Sequence, residues 1–104
     1  MKDIKVIWTS KERNKFFTEI FEIPNGKKFK VRCDHSNGTS LGFNSHCCMD
    51  IMIPDGTWQH VTDNREVGFI WKNEYVMDDC DIRVRTMNQK ASEEFKKFAL
   101  KIWG

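Results

Sequence analysis

The stretch Phe17-Thr18-Glu19-Ile20-Phe21-Glu22-Ile23-Pro24-Asn25-Gly26-Lys27-Lys28-Phe29-Lys30-Val31-Arg32-Cys33 decides the fold class. Its first seven residues alternate, with Phe17, Glu19, Phe21 and Ile23 on one side and Thr18, Ile20 and Glu22 on the other. Asn25-Gly26 tolerates the positive φ that a tight hairpin turn requires. The returning segment alternates again: Phe29, Val31 and Cys33 against Lys28, Lys30 and Arg32. Period-two patterning on both sides of such a turn is the signature of an antiparallel hairpin.

The same pattern recurs downstream. His46 to Ile53, Pro54-Asp55-Gly56 and Thr57 to Thr62 read as a second hairpin. Between the hairpins lies a polar, glycine-bearing loop, residues 36–45, which at that length in so small a domain is expected to be either mobile or functional. Ile4 to Thr9, Glu66 to Trp71 and Asp81 to Thr86 bring the expected count to six or seven short strands. From Ser92 the period changes: Phe95, Phe98, Ala99 and Ile102 follow helical spacing, with Ser92 or Asn88 as N-cap. The expectation is an α+β fold, an antiparallel meander packed on one C-terminal amphipathic helix.

At 104 residues the chain is expected to form one domain, 1–104. Eight Phe and four Trp can fill a core. No apolar run approaches the roughly 20 residues of a spanning helix, and the first residues lack a signal-peptide core, so a cytoplasmic protein with no membrane partner is expected. Four cysteines in a reducing compartment are read as thiols. Many Lys, Ile and Asn with only two Leu and two Ala is a usage common in low-GC genomes and bacteriophages.

Net charge is +2, too mild to imply nucleic acid by itself. Its distribution says more: residues 1–32 carry nine Lys/Arg against four Asp/Glu, 33–81 two against nine, and 82–104 six against two. Either the signs interleave on folding or a basic side meets a polyanion or acidic protein. Lys28, Lys30 and Arg32 form one ladder, and Arg83 and Arg85 form a second if Asp81 to Thr86 is a strand. Neighbouring ladders beside an exposed Trp58 or Trp71 would suit phosphates and stacked bases. Lysines on a solvent face also keep edge strands from aggregating. Trp8 and Trp103 complete the tryptophans, and any left exposed would be an interface anchor, Trp103 above all.

Cys33-Asp34-His35 and His46-Cys47-Cys48 carry zinc-ligand residue types without the usual C-x₂₋₄-C spacing. Strand parity puts Cys33, His35 and Cys47 on the apolar face and turns His46 and Cys48 outward with Asp50, which breaks a four-ligand set. No metal and no cofactor is therefore expected, and buried thiols serve as small hydrophobes. An HNH-type nuclease would need its last two residues on a helix. Cys–His catalysis by Cys33, Cys47 or Cys48 with His35, His46 or His60 would need a depressed thiol pKa. Asp78-Asp79-Cys80-Asp81 lacks the alternating ligands of a calcium loop.

These features favour a non-catalytic protein that binds a host protein or nucleoprotein complex. It would be of the kind a phage or mobile element uses to inhibit or modulate a host or anti-phage defence system. The partner-binding candidates are Lys28, Lys30, Arg32, Arg83, Arg85, Trp58 and Trp71. The alternative is a small nucleic-acid-binding domain on the basic sheet face. A minor alternative is a zinc- or thiol-dependent site around Cys33, His35 and Cys47.

Overall fold

The computed structural model describes residues 3–35, 46–69 and 82–104. Five strands, β1 (Lys5–Thr9), β2 (Phe16–Glu22), β3 (Lys28–Asp34), β4 (His46–Met52) and β5 (Trp58–Asp63), form one antiparallel sheet in sequential order. A one-turn helix α1 (Asn64–Val67) follows β5, and α2 (Ile82–Trp103) closes the described chain. The α+β meander with a C-terminal helix is thus present, with five strands rather than six or seven. Among the described residues no helix is long and apolar enough to cross a membrane.

Register follows the alternation. Phe17 lies opposite Cys33, Glu19 opposite Val31 and Phe21 opposite Phe29. Phe29 lies opposite Ile51, Val31 opposite Met49 and Cys33 opposite Cys47. Directly opposed residues share a face of the sheet, so these side chains form one apolar surface. A one-residue slip would turn them all to solvent.

The helix α2 covers that surface. Val84, Met87, Ala91, Phe95 and Ala99 are buried at helical spacing, and Asn88 and Ser92 are buried beside them. Phe95 meets Phe69 edge to face at 5.1 Å, and Trp103 tilts against Phe29 at 5.3 Å. Trp103 is therefore partly covered, whereas Ile102, expected on the buried stripe, is 54% exposed.

Two expected strands are corrected. Residues 82–86 open α2 instead of forming a strand. Of that local alternation only Val84 belongs to the buried stripe of the helix, Ile82 being 69% exposed, and the period of the stripe is masked by the polar residues Asn88 and Ser92 within it. Those two residues, expected as caps, lie in the middle of the helix. The expected strand from Glu66 begins inside α1, and Ile70 and Trp71 lie outside the described residues. Asp63 caps α1 by accepting from the Glu66 amide at 2.9 Å, and Gly68 ends it at φ +100°. The spacing Asp63-x-x-Glu66 is a helix-start pattern present in the sequence. Residues 36–45, with the long loop, also fall outside the described residues.

Both hairpin turns behave as their residues dictate. Gly26 and Gly56 adopt φ +92° and +88°. Asn25 and Asp55 each accept the amide of the residue two positions on. A Cβ at Gly56 would meet nothing within 4 Å. Gly56→Ala should therefore cost only the left-handed backbone penalty, about 1 kcal/mol, measured by urea unfolding. Bonds from the Thr57 hydroxyl and amide hold the exposed Asp55 carboxyl below its ordinary 3.8. A carboxylate with a depressed folded pKa contributes its stabilisation above the unfolded value and loses it as pH falls through the folded one. A carbon-detected NMR titration should place the Asp55 midpoint below 3.8, and Thr57→Ala should raise it.

Candidate functional sites on the two faces of the sheet

With α2 on one face, the opposite face is where the partner-binding candidates of β3 and β5 gather. Lys28, Lys30 and Arg32 alternate away from the buried Phe29, Val31 and Cys33, as their positions require. Trp58 joins them from β5: the Lys30 ammonium sits 4.9 Å from the centre of its ring. Arg32 binds Asp50, with Nε at 3.1 Å from one oxygen and the terminal nitrogen at 3.2 Å from the other. Lys28 has Glu22 as its direct neighbour across the β2–β3 pair. Each cation of this ladder thus has an acid or aromatic beside it.

The second ladder is not there. Arg85 lies on α2, paired with Glu12 at 2.9 Å. Arg83 belongs to the same helix, and its side chain is outside the described residues, as is Trp71. The five cations do not form one cluster, because α2 packs on the other side of the sheet from Lys28, Lys30 and Arg32.

Sequence reasoning missed the apolar part of this open face. Trp8 lies opposite Ile20 in the β1–β2 pair and is 52% exposed, and Phe16 is 61% exposed. Phe16 borders a depression of about 450 Å³ whose lining includes Thr18, Arg32, Cys48 and His60. The period-two pattern of β2 already placed Ile20 and Thr18 away from Phe17 and Phe21. Which strand would bring a tryptophan beside them depended on pairing. Both edge strands carry a register irregularity, between Val6 and Trp8 in β1 and opposite Met49 and Asp50 in β5. Bulges blunt strand edges against further pairing, so the face rather than the edge is the surface on offer.

The cysteine and histidine residues divide by parity. Ligand atoms of Cys33, His35 and Cys47 lie within 4.8 Å of one another, all three side chains buried. Those of Cys48, Asp50 and His60 form a second group through the sheet on the open face, with His60 exposed. His46 is exposed on that same side. The second group already holds a cation, the Arg32 guanidinium on Asp50.

Asn88 organises the first group. Its amide nitrogen donates to the backbone oxygens of Glu12 and Asn14, at 2.6 and 3.0 Å. Both amide hydrogens are thereby engaged, so its Oδ1, 2.6 Å from His35 Nε2, accepts. The neutral His35 ring consequently carries its proton on Nε2 and its lone pair on Nδ1. Burial lowers the His35 pKa, opposed by the Asn88 bond and the Asp34 charge. Burial, followed by contact with Cys47, raises the Cys33 thiol well above its ordinary value, and burial raises Cys48 as well. These shifts run opposite to those of an activated thiolate nucleophile. Cys47 is fixed through its amide, which donates to Asn64 Oδ1 at 3.1 Å. A third buried polar cluster, Glu19 with Ser92 and with Lys96 at 2.9 Å, is an internally paired link between β2 and α2.

Among the described residues every buried side-chain nitrogen and oxygen has a partner. Asn88→Ala would remove the acceptor of His35 Nε2 and the donor of two backbone carbonyls at once. The expected loss is about 2–4 kcal/mol in urea unfolding, above the roughly 1 kcal/mol of one ordinary hydrogen bond. No family model, curated protein or solved structure matches this chain.

Proposed function

We propose that this chain is a non-catalytic protein-binding module whose open sheet face docks on a partner protein. The observation carrying this reading is an apolar strip, the exposed Trp8 and Phe16 with the half-buried Ile20, beside a cation ladder whose charges are already balanced locally. Tryptophan with arginine at a partly desolvated site is the composition of binding hot spots. A surface for single-stranded nucleic acid would instead leave its cations free for phosphate. Here Arg32 is held by Asp50, Lys28 faces Glu22 and Lys30 rests on Trp58. Mixed charge around an apolar centre favours a protein surface over a polyanion. Inhibition or modulation of a host protein by a phage or mobile-element product is one role that such a module serves.

The test is affinity capture by the tagged chain from lysate, with and without nuclease, using wild type, Trp8→Ala, Phe16→Ala and the Lys30→Glu/Arg32→Glu pair. A partner retained after nuclease and lost with Trp8→Ala supports the reading. Its affinity should fall by about 30-fold or more, the hot-spot range of 2 kcal/mol and above. Both aromatic residues are exposed, so their truncation should leave the fold intact by circular dichroism. Binding insensitive to both aromatic substitutions would overturn the proposal. Capture abolished by nuclease and by charge reversal, with a steep salt dependence, would replace it with nucleic-acid binding.

A further inference from the structure

We infer that Cys33, His35 and Cys47 bind one zinc-type divalent ion on the covered face of the sheet, independently of the docking surface. Three side chains of the ligand types zinc prefers converge there from β3, the residue that follows it and β4, their ligand atoms within 4.8 Å of one another. Cys33 and Cys47 are direct cross-strand partners, and His35 is next but one to Cys33 on the same side. Ligand atoms around a tetrahedral zinc stand about 3.5–3.8 Å apart, given bond lengths of about 2.0–2.3 Å. Even at the 4.8 Å limit the ligand atoms need to close by only about 1.0–1.3 Å.

Two further observations distinguish this group from a chance meeting of buried thiols. The first is Asn88, whose Oδ1 accepts from His35 Nε2 while both of its amide hydrogens are taken by backbone oxygens, so the imidazole is held in one orientation. Ligating histidines are commonly oriented by such a hydrogen bond to a neighbouring polar group. The second is charge. Binding releases the two thiol protons to solvent, and two thiolates with a divalent cation sum to zero. A buried neutral site avoids the cost of an uncompensated charge, which a monovalent ion between the same thiolates would leave. Three protein ligands fill three tetrahedral positions, and a water or other small donor takes the fourth. The ion would tie β3 to β4 and, through His35 and Asn88, to α2 and the β1–β2 connection.

The open-face group Cys48, Asp50 and His60 is a weaker candidate, because an incoming cation would have to displace Arg32 from Asp50. That contrast supplies the control. The reduced, chelator-treated full chain is titrated with Co(II), followed by back-titration with Zn(II). The expected result is one cobalt per chain with thiolate-to-cobalt charge-transfer absorption, bleached by zinc. Cys47→Ser and Cys33→Ser should abolish that absorption, and His35→Gln should weaken cobalt binding by at least about tenfold, no less than the loss of an outer-shell partner costs. Cys48→Ser should bind as wild type. Because substitutions in the core can impair folding, the wild-type chain is also alkylated under partial denaturant with and without zinc. Zinc should protect Cys33 and Cys47 while leaving Cys48 unchanged. The inference is overturned by a wild-type chain that takes up neither ion, by uptake without thiolate absorption, or by protection of Cys48 in place of Cys47.

Discussion

The side chain of Asn88 is the constraint on which the rest of the described structure depends. It lies on the buried stripe of α2, where a polar group left unpaired would cost more than a typical hydrogen bond contributes. Its three bonds, to His35 and to the backbone oxygens of Glu12 and Asn14, join the helix to the end of β3 and the β1–β2 connection. Ser92, one turn further on, bonds Glu19 of β2. These polar contacts set the rotation of α2 on the sheet, since a helix turned by one residue would bury both groups without partners. Apolar packing of Phe95, Ala91 and Ala99 supplies the non-directional attraction, and the polar pair selects one geometry from those it permits.

Once α2 is seated, the two faces of the sheet have different chemistry. The covered face collects Phe21, Phe29, Val31 and Met49 and, at the end near Asn88, the cluster of Cys33, His35 and Cys47. The open face keeps Lys28, Lys30 and Arg32 with their partners, and Trp8 and Phe16 in solvent. Period-two alternation separates the sets so cleanly that adjacent cysteines, Cys47 and Cys48, belong to different sites. The thiol on the covered face sits beside another thiol and an imidazole, whereas the one on the open face sits beside a carboxylate already bound to arginine. Of the charge segments along the chain, Arg32 with Asp50 joins the basic first segment to the acidic middle one, whereas Arg85 with Glu12 joins the two basic segments to each other.

Much of this was legible in the chain. Alternation and two glycine turns determined β2 to β5 and both hairpins, because side-chain direction in a strand and positive φ in a turn are local properties. The same parity placed Cys33, His35 and Cys47 together and sent Cys48 and Asp50 to the other side. The C-terminal helix was legible from Ser92 onward. What local pattern could not determine was that Asn88 and Ser92 belong inside that helix, because a buried polar residue is compatible with a stripe only when a distant group satisfies it. His35, Glu12, Asn14 and Glu19 do so, and they lie more than fifty residues away. The open-face strip of Trp8, Phe16 and Ile20 likewise required the pairing of β1 with β2, and the separation of Arg85 from Lys30 required knowing which face the helix covers. Sequence by itself determined the direction of each strand side chain. Only tertiary structure decided which of them meet, because burial and hydrogen-bond satisfaction are properties of pairs brought together across the fold.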